Sequence, residues 1–194
     1  VAPVERERTT QAQLPFTVTP PDGPIGLTPH DLMDESVFEA GEIEVEEDGG
    51  GTGFGSAVHE FAEGYALDGD GAASNDHERH VAEFLDGLGG EKRVEEPARL
   101  PMEVDGQRVT ISGVVDLVHI TDRAVEIIDW KTDASRRAEA EYRKQLSVYY
   151  HVLDGVYPDR EVTASLYYSG PGDRVSLTPL SLGELEAVVL SVLN

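Results

Sequence analysis

Two short runs constrain this chain more than anything else in it. Ile111 to Ile120 reads Ile-Ser-Gly-Val-Val-Asp-Leu-Val-His-Ile, and Val125 to Trp130 reads Val-Glu-Ile-Ile-Asp-Trp. Both are nearly continuous in β-branched and apolar residues, the pattern of strands covered on both faces. Each is broken by an aspartate, Asp116 in the first and Asp129 in the second. A turn centred on Asp122-Arg123 sets Asp116 opposite Asp129, although a register one residue away changes this and turn length alone does not exclude it. Opposed side chains on paired strands lie about 5 Å apart, and like charges there destabilise the sheet. A buried, isolated carboxylate also loses its hydration unless a partner offsets the cost or it takes up a proton. A hard divalent cation such as Mg²⁺, held by one or two carboxylates and several waters, suits this pair. Lys131 lies two residues beyond Asp129 and projects to the same face by strand periodicity. An ammonium there can orient a water or stabilise charge on a phosphorane-like transition state.

The rest of the chain supplies a frame for these strands. Order is expected after Gly55, with Ser56 to Leu67 carrying Val58, Phe61, Ala62 and Tyr65 at helical spacing. Asn75 to Leu88 reads as a second helix, with Ser74 as its cap and Gly87, Gly89 and Gly90 as its stop. Arg93 to Leu100 and Gln107 to Ile120 read as strands about an Asp105-Gly106 turn, and Ala124 to Lys131 as a third. Arg137 to Leu153 reads as a helix bearing Tyr142, Leu146, Tyr149, Tyr150 and Leu153. Glu161 to Tyr168 and Arg174 to Thr178 return as strands, and Ser181-Leu182-Gly183-Glu184 has the form of a capping box opening a last helix. Upstream, Leu27 to Phe38 has room for a short helix capped by Thr28. The order predicts an α/β domain around a mixed central sheet flanked by helices.

Composition narrows the class. The chain has 194 residues and a formal charge of −23, from 15 Lys plus Arg against 38 Asp plus Glu. That length suits one domain with a real core. The absence of cysteine excludes disulfides, thiolate zinc sites and cysteine-held iron–sulfur clusters. No apolar run approaches the roughly 20 residues that cross a bilayer, so no membrane partner and a cytoplasmic location are expected. Val1 to Pro24 is polar and proline-bearing like a linker, and the chain starts without methionine, as a piece of a longer polypeptide would. The acidic run Glu39, Glu42, Glu44, Glu46, Glu47, Asp48 reads as solvated loop. The only lysines are Lys92, Lys131 and Lys144, and the acids are spread over the whole length. Such a surface fits a salt-saturated cytoplasm, where the Debye length shrinks to about 3 Å at 1 M and self-repulsion is screened. The alternative is an acidic domain of ordinary salt habitat.

Gly113-Val-Val-Asp116, then Asp129-Trp-Lys131-Thr132, then Gln145-Leu-Ser-Val-Tyr149 resembles the PD-(D/E)XK nuclease superfamily. Within it the chain is similar to the RecB-like branch, the C-terminal nuclease domains of RecB- and AddA-type helicase–nucleases. That branch carries a histidine on a preceding helix, and Gly55-Ser-Ala-Val-His59 matches it. The resemblance spans about Gly53 to Tyr168 and implies a restriction-endonuclease-like αβββαβ core. It makes 1–50 a loop-rich acidic lead-in and 51–194 the nuclease domain. It also implies that His59, Asp116, Asp129 and the carbonyl of Trp130 hold Mg²⁺ or Mn²⁺. Lys131 becomes the catalytic lysine, served by Asp116 and Asp129, while Gln145 and Tyr149 position it and the strand. Gln145 and Tyr149, four residues apart, share one helical face in any case. Glu96 before Pro97 matches an acidic position found in some relatives. The implied activity is hydrolysis of DNA phosphodiesters, as an exonuclease in recombination and repair, on single-stranded DNA or free ends. The partner is a helicase motor; no Walker A motif occurs here, so any motor lies elsewhere.

Blander readings stand beside these. His59 begins His-Glu-Phe-Ala-Glu63, which lacks the second histidine of a zinc protease helix. Glu60 and Glu63 read as solvated, Glu63 being within reach of a second ion. His77, His80, His119 and His151 read as structural, and Tyr142 and Tyr150 as core. Gly113 marks either a close backbone approach or a bulge. From Lys131 to Lys144 there are five bases against three acids, either phosphate contacts beside the site or ordinary helix salt bridging. The acidic total weighs against DNA affinity by counterion release, an objection softened in molar salt or where cations bridge to phosphate. A catalytically silent nuclease-fold module that docks a helicase or guides a strand is the alternative, and an acidic DNA mimic a third.

Overall fold

The computed structural model describes residues 23–39, 52–133 and 135–194. Most of the stretch read as a linker, and the acidic run at 42–48, lie outside these. Two strands of unusual length form the frame. β2 (Glu91–Val104) and β3 (Gln107–Ile120) pair antiparallel from end to end. Asp105 and Gly106 turn the hairpin with φ of 48° and 73°, the left-handed pair that a tight two-residue turn demands. β4 (Ala124–Lys131) then pairs antiparallel with β3, from Ile120 opposite Val125 to Leu117 opposite Ile128. This is the register centred on Asp122-Arg123.

A sixth strand arises where only loop and helix were expected. β1 (Ile25–Leu27) pairs parallel with β3 at Val109 to Ile111. Because Ile111 pairs with both Leu27 and Leu100, and Leu117 with both Ile128 and Val94, β1 and β4 share the edge of β3 that faces away from β2. A 3₁₀ turn (His30–Leu32) and α1 (Glu35–Glu39) follow instead of one continuous helix, since Met33 is extended at ψ 152°. Thr28 stands before the short turn and not before a long helix: its hydroxyl oxygen accepts from the Asp31 amide at 3.4 Å, and its amide and hydroxyl donate to the Asp31 carboxylate. Leu32 is buried in the core, so residues 25–39 are built into the body of the domain.

Helices cover both faces of this mixed sheet, as its apolar strands require. After β4, a 3₁₀ turn leads into α4 (Glu139–Val156), which returns the chain to β5 (Glu161–Tyr168), parallel to β4. β6 (Asp173–Leu177) closes that edge antiparallel, and α5 (Leu182–Leu193) starts from a capping box made by Ser181 and Glu184. α4 and α5 bury Leu146, Tyr149, Leu153, Leu185 and Val189 with Val125 and Ile127 of β4. On the opposite face α2 (Thr52–Asp68) and α3 (Asp76–Asp86) bury Val58, Ala62, Val81 and Leu85 with Ile128 and Trp130. The cap of α3 is Asn75, not Ser74: the Asn75 side chain accepts from the amide of Glu78. Ser74 instead donates its amide and hydroxyl to the Glu78 carboxylate. Asn and Ser cap equally well, and the one whose side chain reaches the third helical amide takes the role.

Candidate active site

The pairing of β3 with β4 stops one step short of the aspartates. Beyond Leu117 and Ile128 the Trp130 amide donates to Asp116 Oδ2 at 3.0 Å instead of continuing the ladder. The same point is disturbed on the other edge of β3. Glu95 of β2, in the position facing Asp116, has a φ of 52° and drops out of the ladder. Across Asp116 the inward parity of β3 changes: Ile111 and Val115 lie in the same core cluster as Val118 and Ile120, while Leu117 belongs to the other. The strands thus separate where the carboxylates are, and side chains from both helical layers enter the gap.

His59, on the second turn of α2, comes from one layer. Its Nε2 lies 3.0 Å from the Trp130 carbonyl oxygen, and its Nδ1 lies 3.5 Å from Asp116 Oδ2. A carbonyl only accepts, so Nε2 carries the proton and Nδ1 presents its lone pair to the Asp116 carboxyl. Burial holds the imidazole below its usual pKa and outweighs the pull of Asp129. Burial, with Asp129 adding to it, pushes Asp116 up to about 8. The 3.5 Å contact is therefore an uncharged imidazole against a carboxyl group reluctant to ionise. Gly55, one turn before His59, keeps α2 close to the sheet: a Cβ there would sit 3.2 Å from Thr132 Oγ1.

Lys131 and Asp129 lie on the α4 side. Lys131 Nζ is 2.6 Å from Asp129 Oδ2, with the carboxylate 2% exposed and the lysine 14%. That oxygen has no aligned hydrogen bond, so the ammonium is held by charge and not by direction. The ring centroid of Tyr142 lies 4.1 Å from the same Nζ. Gln145 Nε2 donates to Tyr149 Oη at 3.4 Å, one turn along α4. The Tyr149 ring packs on the backbone of β3 at Gly113, where a Cβ would lie 2.9 Å from Oη. Gly113 remains in the ladder opposite Ala98, so it serves a close approach and not a bulge. Burial pushes the Tyr149 phenol up to about 12, with hydrogen bonding from Gln145 acting against it.

The structure brings His59, Asp116, Asp129, the Trp130 carbonyl and Lys131 into one cluster, with Gln145 and Tyr149 bordering it. Glu96 is elsewhere. It pairs opposite Val115 and lines a cleft of about 130 Å³ with Arg93, Pro97, Val152 and Tyr157. The acidic residue of β2 whose charge reaches Asp116 is Glu95, a smaller effect than that of Asp129. Glu96 is marked only by the family resemblance, and no sequence signal marks the left-handed backbone that re-aims Glu95. Of the expected phosphate-binding bases, Lys144 pairs with Glu141, Arg136 with Asp173, and Arg143 with the carbonyl of Thr178.

Two of the histidines read as structural support the site from behind. Ser169, fully buried after β5, donates its amide at 2.8 Å and its hydroxyl at 3.1 Å to the Lys131 carbonyl. His77 Nδ1 donates to that hydroxyl at 2.8 Å, and His80 Nδ1 to the Ser169 carbonyl at 2.9 Å. His77 also meets Phe54 of α2 edge-on at 4.9 Å. Nothing in the spacing of His77, His80 and Ser169 announced this link, because 89 residues separate His80 from Ser169.

The donor set fits a hard divalent cation. Two carboxylates and a carbonyl oxygen are the ligands such ions accept, and an imidazole nitrogen beside them favours a transition metal. The buried, unaligned Asp129 Oδ2 is the oxygen such an ion would satisfy. Among the described residues, however, no three His, Asp or Glu side chains form a ready cage.

Known proteins bear on this geometry in three ways. Over 85 residues the chain is 29% identical to an ATP-dependent helicase/nuclease subunit of Anoxybacillus flavithermus, a match covering 40% of this chain. The chain spans only 7% of that relative's length. The crystal structure of SSO0001 superposes with a TM-score of 0.52 over 87% of this chain and 75% of that one; at 15% identity this speaks to the fold alone. A family model matches residues 56–180, from the turn before His59 to the end of β6 and beyond, and on that match the chain belongs to the PD-(D/E)XK nuclease superfamily.

Proposed function

We propose that this domain is a Mg²⁺- or Mn²⁺-dependent DNA nuclease. The observation that carries the reading is the gap between β3 and β4, where an ammonium lies 2.6 Å from a buried carboxylate and a second carboxyl group and an imidazole lie alongside. His59, Asp116, Asp129 and the Trp130 carbonyl would hold the cation. When bound, it supplies Lewis acidity towards a phosphoryl oxygen and lowers the pKa of its water. The chain's own residues do the rest. Lys131 keeps a fixed positive charge where a phosphodiester gains negative charge during in-line displacement. Asp129 holds that ammonium in place, and Gln145 and Tyr149 border the path the strand takes past it. A module of a helicase–nuclease acting in recombination and repair, on single strands or free ends, is the biological setting proposed with it; the partial likeness to an ATP-dependent helicase/nuclease subunit supports the helicase–nuclease part of that reading. Among the described residues no helix is long and apolar enough to cross a membrane.

A second reading draws on the pairing of Asp129 with Lys131 in place of a preformed cage: a silent module that guides a strand without cutting it. Cleavage of end-labelled single- and double-stranded DNA with Mg²⁺, Mn²⁺ or EDTA, at low and high KCl, separates the two. The nuclease reading expects cation-dependent cleavage that Asp116→Ala and Lys131→Ala each lower by at least about a thousandfold, with unchanged far-UV circular dichroism. Retained cleavage in both variants would overturn it.

A further inference from the structure

We propose that Tyr142 is a positioning residue for Lys131, its ring face forming the second half of the seat that holds the ammonium. The inference rests on reading Lys131 as the amine that serves the reaction. Lys131 Nζ sits between Asp129 Oδ2 at 2.6 Å and the Tyr142 ring centroid at 4.1 Å. With the lysine side chain 14% exposed, most of its hydration is gone, and the carboxylate oxygen offers no aligned hydrogen bond in return. An aromatic face attracts a cation through its quadrupole without demanding alignment, and more strongly once water is excluded.

Tyr142 is itself held rigidly. It is 9% exposed, its ring packs at 5.6 Å against Phe38, and its hydroxyl reaches Asp133 Oδ2 at 3.4 Å. Burial and the charges of Asp133 and Asp129 push the phenol up, so the ring stays neutral. Gln145 follows one turn later and Tyr149 two turns later, so a single face of α4 presents ring, amide and phenol to the site. A cation held by Asp129 draws on the carboxylate that pairs with Lys131. The ring's attraction is the part of the seat that such binding leaves untouched. A purely packing role for Tyr142 needs its volume but not its electron-rich face, and that difference is measurable.

The test is Tyr142→Phe, then fluorinated phenylalanines at the same position, which drain the ring face at nearly constant shape, each combined with Lys131→Met. Urea unfolding of these pairs forms double-mutant cycles that need no activity. The seat predicts near-additivity for Tyr142→Phe, which keeps the ring face, and a coupling with Lys131→Met that grows stepwise with fluorination to about threefold or more in the unfolding equilibrium constant. It also predicts that kcat for DNA cleavage stays within about threefold for Tyr142→Phe and falls roughly tenfold across the fluorinated series, with KM held. Cycles that stay additive across the fluorinated series, or a fluorinated ring that cleaves like phenylalanine, would overturn the proposal. If the wild-type chain cleaves nothing, the nuclease reading fails while the cycles still decide the seat, coupling supporting it and additivity refuting it.

Discussion

Asp116 shows how far one side chain can be displaced from its ordinary chemistry by its place in a sheet. Burial raises its pKa first and the charge of Asp129 second, while the Trp130 amide pulls the other way. A carboxyl group raised from 3.8 to about 8 favours the folded state in its protonated form. Its contribution to stability is therefore complete below about pH 4 and is lost as the pH climbs through about 8. Thermal melts of the cation-free protein should show the midpoint falling across that window, and Asp116→Asn should flatten the fall. An equal slope in both proteins would show that the group is not buried as described. His59 was legible as a candidate only through the family resemblance, which carries a histidine on a helix before the strands. Its tautomer was not, since that depends on the Trp130 carbonyl 71 residues away.

At the level of elements, the end of β4 depends on what is fastened to it. Trp130 anchors one side, edge-on to Phe84 at 5.8 Å and Tyr167 at 5.4 Å, while Ser169 fixes the next carbonyl from β5. Ser169→Ala removes the hydroxyl and leaves the half-buried His77 donor without its acceptor, so about 0.5–1.5 kcal/mol of stability should be lost in urea unfolding. Ser169→Thr should recover most of it, and a neutral Ser169→Ala would contradict the fastening. The hairpin was readable from Asp105-Gly106 and the apolar runs, because local turn chemistry and strand period agree there. Turn length suggested the register that brings Asp116 towards Asp129 but left its neighbour open, and the pairing of Ile120 with Val125 decides between them. β1 was not readable: three residues carry too little periodicity, and only the open edge of β3 at Val109 to Ile111 makes them a strand. Long β2, an edge strand, carries Pro97 and Pro101, which leave gaps in its donor row and discourage pairing with another chain.

For the whole molecule the formal charge of −23 is the dominant fact that the fold does not explain. Self-repulsion on this scale weakens a compact state in dilute buffer and is screened in salt. The melting midpoint should rise steadily from dilute buffer to molar KCl, and a midpoint indifferent to KCl would dismiss adaptation to salt. The same surface will collect divalent cations without specificity, so binding at the proposed site must be read by difference. The direct measurement is calorimetric titration of Mn²⁺ into the wild-type chain and into Asp129→Asn, in enough KCl to screen the surface. The account predicts one saturable binding event in the wild type that Asp129→Asn abolishes while the weak background remains. Identical isotherms for the two proteins would contradict it.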